Sequence, residues 1–470
     1  MATLAPAAPA ETHHDTPPRH WSEGRLSEAD VAHIPGESGW PVVGNTFRML
    51  ADPHGFARDM VAKYGPVYKN RAFGGWGVML VGADANELVL FDRDKLFSSE
   101  QGWGPLLDQL FPRGLMLMDF DHHRADRRAL SIAFKPEPMR HYAGALNRGI
   151  AQETKNWAGR REFYPAIKSL TLDLAADSFI GIPWGPEADK INAAFVDMVQ
   201  ASVAPIRTPL PFTMMKRGVD GRKYLVEFFT AETHRRRAEG GGQDMFSQFA
   251  TATREDGSLL PVDEVVDHMN FLMMAAHDTI TSSATTLVWQ LAMHPEWQEK
   301  LRQEAIAVTG GPDAQGRPRP LEYSDLGKME LTEMAFKEAL RIVPPVPSTP
   351  RRALRSFEFG GYTIPAGAGI GINTHLVHHS EEHWDNPERF DPMRFTREAE
   401  KARHKYAWVP FGGGAHMCLG LHFAYMQVKI LMAQLLQQYR IEIEDGYSPE
   451  WQAWPIPKPR DGLKVEFKPL

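Results

Sequence analysis

Phe411-Gly-Gly-Gly-Ala-His-Met-Cys-Leu-Gly420 carries Cys418, the only cysteine among 470 residues. The stretch runs straight into an apolar helical segment containing Leu421, Phe423, Ala424, Met426, Val428, Ile430 and Leu431. The sulfur therefore stands at a helix N-terminus, where unpaired backbone N–H groups and the helix dipole favour negative charge and predict a lowered thiol pKa. Gly412, Gly413 and Gly414 free the backbone to fold tightly around the sulfur and to lie against a flat ligand. One thiolate cannot complete the usual zinc site or a four-cysteine iron–sulfur cluster. It can be the single axial ligand of a heme. An inert buried cysteine beside a glycine turn is the competing reading, and the other segments decide between the two.

The stretch resembles the heme-ligand loop of the cytochrome P450 family, Phe-x-x-Gly-x-(Arg or His)-x-Cys-x-Gly, through Phe411, Gly414, His416, Cys418 and Gly420. The resemblance implies heme b (iron protoporphyrin IX), with Cys418 as the iron ligand and Phe411, Gly412, His416 and Gly420 around it.

Cys418 has no partner for an intramolecular disulfide, which suits a reducing cytoplasm. A net charge of −7 gives no general attraction to nucleic acid. Residues 1–30 are rich in Ala, Pro, His and charge, lack the basic start and apolar core of a signal peptide, and read as a flexible leader. No run of about 18 apolar residues predicts a membrane span, and in this the chain is similar to the soluble, bacterial-type members. Residues 31–470 show no linker or repeat and read as one heme-thiolate monooxygenase domain. Helical periodicity dominates from about 120 to 345, as in Ile191–Ala201, Arg222–Arg237 and Ser324–Ile342. Strand character marks Tyr64–Asn70, Gly77–Gly82, Phe357–Pro365 and Leu463–Phe467. The expected fold is mainly α with small β-sheets; the resemblance implies the triangular prism of the family.

Pro261 to His294 predicts a long helix, apolar on nearly every face. Within it, Ala275-Ala-His-Asp-Thr-Ile280 sets an aspartate beside a threonine in a buried setting, which is costly unless the acid is paired or solvated. The Thr279 hydroxyl can bond back to the carbonyl at 275 and locally distort the helix. This segment resembles the family's oxygen-activation motif, with Ala276 in place of the usual glycine and Ile280 in place of the second hydroxyl. The resemblance implies that Ala275 borders the heme and that Asp278 and Thr279 are catalytic, delivering protons to dioxygen.

Glu338-Ala-Leu-Arg341 resembles the family's Glu-x-x-Arg, and Pro387-Glu-Arg-Phe390 its later partner, implying a Glu338–Arg341–Arg389 network. His123-Arg-Ala-Asp-Arg127-Arg128 resembles the propionate-binding helix, implying heme contacts from His123 and Arg127. Arg351 is the next such candidate, with Arg352 as alternate. His416 stands where arginine is usual. The apolar segments Trp103–Phe111, Pro205–Met215 and Val343–Thr349 suit either a pocket lining or core loops.

The function implied is monooxygenation of a hydrophobic small molecule (terpenoid, steroid or other lipid) with O2. Electrons would come from a separate ferredoxin and ferredoxin reductase, docked where Arg124, Arg127, Arg128 and Lys429 cluster. A peroxide-driven heme-thiolate enzyme and a non-enzymatic heme-thiolate sensor are the alternatives; the acid–alcohol pair Asp278–Thr279 argues against both.

Overall fold

The computed structural model describes His20 and residues 22–470. Of the expected leader, residues 1–19 and 21 lie outside the described residues. Among the rest, which are mostly exposed, Glu23 and Gly24 accept from the Arg352 guanidinium through their carbonyl oxygens, and Val31, just beyond, is buried.

The fold is mainly helical and is built around Val262–Met293, a helix of 32 residues. Pro261 precedes it, Asp263 and Glu264 stabilise its first turn, and it ends at His294, next to Pro295. Many of its buried residues are hydroxylic, and burial demands that they be paired. They pair with their own backbone: Thr281 donates to the His277 carbonyl at 2.9 Å, Thr285 to Thr281 at 2.7 Å and Thr286 to Ser282 at 3.1 Å. Ser282 instead reaches the Pro457 carbonyl at 2.6 Å, tying the helix to the C-terminal region. Phe163–Ala175, Met214–Glu239 and Glu330–Ile342 pack around this helix. The Leu421–Gln438 helix meets it where Ile280, Ala284, Val428 and Leu431 line one small hollow.

A second, smaller core lies around a mixed six-stranded sheet, which joins Gly36–Glu37, Val67–Ala72, Gly75–Leu80, Gly369–Asn373, Ser348–Ala353 and Phe97–Ser98 in that order. Val67 faces Leu80 in the central hairpin, and Val78 faces Ile370 in a parallel pair. The sheet brings distant segments together and carries Arg351 and Arg352 on one strand. Expected strands appear at Val67–Ala72, Gly75–Leu80 and Lys464–Pro469, and Phe357–Pro365 forms a short hairpin. Trp103–Phe111, read as a loop, is instead mostly helical: Ser99–Leu107 is a helix with Pro105 inside it, capped by the Ser98 side chain. Gly102, Gly104 and Pro105 all weaken this helix by more than the Ser98 cap returns, so its packing on the Ser348–Ala353 strand, where Gly102 meets the Pro350 and Arg351 backbone, holds it.

The expected acid–base network forms, with one partner corrected. Glu338 and Arg341 are fully buried and bidentate, at 2.7 and 2.9 Å. Arg341 also donates to the carbonyls of His378 and Arg389, at 2.9 and 3.3 Å. The Arg389 side chain is exposed, and the second guanidinium at Glu338 belongs to Arg394, 3.3 Å away. The Asp391 N–H completes the site at 2.9 Å. Pro-x-Arg-Phe occurs twice in succession, at 387–390 and 392–395, and the helical turn Pro392–Phe395 turns the second copy inward. Burial pushes the Glu338 carboxyl up despite Arg341, so the network fixes geometry more than it adds net stability.

Removing one partner of a buried pair costs about 3–5 kcal/mol. Glu338→Gln and Arg394→Ala are expected to lower the denaturation midpoint strongly and to reduce heme retention, whereas Arg389→Ala should leave both near wild type. Chemical denaturation of the three variants checks the assignment, and an Arg389→Ala loss as large as that of Arg394→Ala contradicts it.

Candidate functional site

The loop before the Leu421–Gln438 helix is closed by its own backbone. The Cys418 N–H donates to the Phe411 carbonyl at 2.9 Å, and Met417 to Gly414 at 3.2 Å. Gly414 has φ +61°, and a Cβ there would stand 2.3 Å from the Leu90 carbonyl oxygen, so no other residue fits. Gly412, at φ +69°, makes the preceding bend, while Gly420 caps the helix. Cys418 retains accessible surface, yet the protein around it pushes the thiol pKa up. Burial outweighs the two opposing influences, the Gly420 N–H and the Arg127 charge. The lowered pKa expected from the helix terminus is thus reversed, because desolvation of a thiolate exceeds the effect of a few oriented N–H groups. A coordinating metal removes that proton outright.

Positive charge gathers beside the thiol with no carboxylate in direct ion-pair contact among the described residues, although Asp92 and Asp119 act on Arg351 from farther away. Arg351 is buried, at 6% exposure. Its side chain donates to the Pro350 carbonyl at 2.8 Å and makes no ion pair among the described residues. Burial pushes its pKa down to about 10. Arg127 is half-buried and likewise has no ion pair among the described residues. The rings of His123 and His416 stack at 4.0 Å, and His123 Nε2 is buried without a hydrogen bond. Burial, then the charges of Arg127 and Arg351, hold His123 neutral with a pKa of about 4; burial and the same neighbours push His416 down as well. Arg352 is committed elsewhere, to Glu23, Gly24 and the Gly367 carbonyl. The arrangement of one thiol, two guanidiniums without ion-pair partners among the described residues and an orphaned imidazole suits a flat ligand that carries both a metal and carboxylates.

On the central helix, Thr279 Oγ1 donates to the Ala275 carbonyl at 2.9 Å, as expected. The helix runs unbroken from Val262 to Met293, with no 3-10 or π turn within it. Phe271, Ala275, Ala276 and Thr279 keep part of their surface open, whereas Met273, His277 and Ile280 are buried. Asp278 does not join Thr279. Its carboxylate lies 3.3 Å from Lys168 Nζ on the Phe163–Ala175 helix and 3.6 Å from His277 Nε2. His277, buried against Thr171, is pushed by desolvation to about 4.

Two of the expected docking cations are not free. Lys429 is buried and bonds Glu333 at 2.7 Å and the Leu326 carbonyl at 2.9 Å. Arg128 pairs with Glu255. Arg124 remains exposed, 3.9 Å from Asp121. Sequence reasoning missed Lys168 and Arg394. Lys168 stands 110 residues from Asp278, so no local pattern joins them, whereas Arg394 was visible as the second Pro-x-Arg-Phe.

Among the described residues no helix is long and apolar enough to cross a membrane. The cytochrome P450 family model matches residues 34–467. A Mycobacterium tuberculosis (strain H37Rv) protein assigned as cytochrome P450 136 is 35% identical over 93% of this chain and 88% of its own length. Abscisic acid 8'-hydroxylase 2 of Oryza sativa subsp. indica is 28% identical over 92% and 86%. The structure of retinoic acid-bound cyanobacterial CYP120A1 superposes with a TM-score of 0.84, at 26% identity, over 93% of this chain and 99% of its own. The thiol loop, the unpaired guanidiniums beside it and these matches agree: the chain belongs to the cytochrome P450 family, the heme-iron monooxygenases.

Proposed function

We propose that this enzyme hydroxylates an apolar isoprenoid with O2, using heme b and electrons from a separate ferredoxin and its reductase in the cytoplasm. Residues 31–470 act as the catalytic domain behind a leader of residues 1–30. The observation that carries the site assignment is the group of guanidiniums without ion-pair partners beside Cys418. Two relatives support the substrate class: one is named for abscisic acid and the other was solved with retinoic acid, both isoprenoids. The half-open face of the central helix, with Phe271, Ala275 and Ala276, offers an apolar wall for such a molecule.

The heme, when bound, supplies oxygen activation. Cys418 holds its iron, while Phe411, Gly412 and Gly420 shape the loop beneath it. Arg127, Arg351 and His123 take its carboxylates, and His416 stacks on His123 to orient it. Ala275, half-open on the helix, lets the ring system approach. Thr279 holds a proton at Oγ1, and exchanging its bond to the Ala275 carbonyl for one to the reacting oxygen delivers that proton. Asp278, held by Lys168 and turned away from Thr279, would return a proton to Oγ1 only after leaving Lys168 and taking that proton from solvent.

Cys418→Ala is expected to abolish the red-shifted absorption of the reduced carbon monoxide complex together with turnover; a retained spectrum refutes the ligand. Thr279→Ala should bind substrate normally yet divert electrons to peroxide, so product per nicotinamide oxidised falls several-fold. Equal coupling in both proteins contradicts the proton role. Exposed charges are screened beyond about 8 Å at physiological salt. Ferredoxin-driven turnover should therefore fall as salt rises, and Arg124→Glu should raise the ferredoxin needed for half-maximal rate without changing substrate affinity. Salt-independent turnover would place docking elsewhere.

A further inference from the structure

Asp267 is a buried carboxylate on the central helix with two arginines from two other segments. Arg113 reaches its Oδ2 through Nε at 3.0 Å and Nη2 at 2.9 Å, and pairs with Asp263 at 2.8 Å. Arg222, on the Met214–Glu239 helix, reaches its Oδ1 at 3.1 Å and the Leu110 carbonyl at 3.2 Å. A third arginine, Arg207, spans from the carbonyl of Ser202, at 2.6 Å, to that of Leu106, at 3.0 Å. The segment from Ser99 to Gly114 is thus stapled by arginines at three points, and Asp267 is the one carboxylate shared by two of them.

The position of Asp267 along its helix gives this network a purpose. Asp267, Phe271, Ala275 and Thr279 follow one another at four-residue spacing along one slanted ridge, or stripe, of the helix, each step turning about 40°, so consecutive members are neighbours. Twelve residues place Asp267 about 18 Å from Thr279 along the axis. Gly114 rests on Phe271 so closely that a Cβ would meet its ring at 2.3 Å. The stapled segment therefore crosses the stripe one turn from the latch. Arg113 itself sits at φ +56°, a left-handed conformation unfavourable for arginine, so its ion pairs hold the backbone where it would not rest alone. Its side chain is 53% exposed, which leaves the latch open to solvent and salt.

We infer that Asp267, with Arg113 and Arg222, is an ionic latch that holds the Asp108–Gly114 segment over the open stripe of the central helix and sets the rate at which bulky molecules enter and leave the site. The inference rests on that stripe being the face that bound molecules meet, and on no particular substrate class. Asp267 and Arg113 are positioning residues: they touch the cover, not the reacting atoms.

The test uses the heme-loaded protein and two iron-binding probes, bulky clotrimazole and small imidazole, followed by stopped-flow Soret absorbance. Arg113→Gln and Asp267→Asn are expected to raise both association and dissociation rates of clotrimazole by about tenfold, leaving imidazole unchanged, because loss of a buried charge partner acts mainly on opening. The double variant should match the single ones, since both break one latch. Raising ionic strength should accelerate clotrimazole exchange in wild type and leave Arg113→Gln unaffected. Hydrogen exchange of the amides at 108–114 should quicken in both variants, a readout independent of heme ligation. Should Asp267→Asn fail to fold, the half-exposed Arg113→Gln carries the same comparison. Clotrimazole rates within about twofold of wild type, or equal acceleration of both probes, would overturn the latch.

Discussion

Burying a guanidinium without an ion-pair partner is costly, and this protein does it beside its only thiol. Arg351 is enclosed with no carboxylate bonded to it, Asp92 and Asp119 acting on it only from beyond ion-pair distance; Arg127 is half-enclosed and unpaired among the described residues, and His123 keeps an orphaned ring nitrogen close by. In a folded chain such groups are retained where a ligand of opposite charge offsets their desolvation. The Phe411–Gly420 loop faces a related demand, since burial pushes its thiol up and a coordinating metal would take the place of its proton. On the proposed reading, a metal held in a macrocycle that carries carboxylates would offset both costs together.

The rest of the structure keeps these groups in register. Backbone bonds and a glycine that admits no side chain fix the loop. The six-stranded sheet delivers Arg351 from a segment distant in sequence. The Glu338–Arg341–Arg394 cluster secures the turns at 387–395 to the Glu330–Ile342 helix. The central helix satisfies most of its buried hydroxyls on its own backbone and that of Ser282 on the Pro457 carbonyl, while His268 Nδ1, Asn270 Oδ1 and His277 Nε2 stay buried without a hydrogen bond.

Much of this was legible in the sequence, and the exceptions have a common cause. The glycine-rich loop, the Thr279 back-bond and the long helix are local patterns, fixed by residues within a few positions of one another. Errors arose where burial or distant partners decide. Lys429 looked like a surface cation until Glu333 and the Leu326 carbonyl enclosed it. The acid beside Thr279 turned toward Lys168, a residue 110 positions away. Arg389 and Arg394 sit in duplicate motifs, and only packing selects the second. The helix terminus gave the wrong sign for the Cys418 thiol, because desolvation is a property of the whole fold.

The most direct test of the unpaired-cation account is equilibrium binding of iron protoporphyrin IX and of its dimethyl ester to the apoprotein, each followed by Soret absorbance. The two porphyrins differ only in whether their carboxylates carry charge. The account predicts tight binding of the diacid and a large loss of affinity for the ester. It further predicts that this difference shrinks in Arg351→Leu. Equal affinity of the wild-type protein for both porphyrins would contradict it.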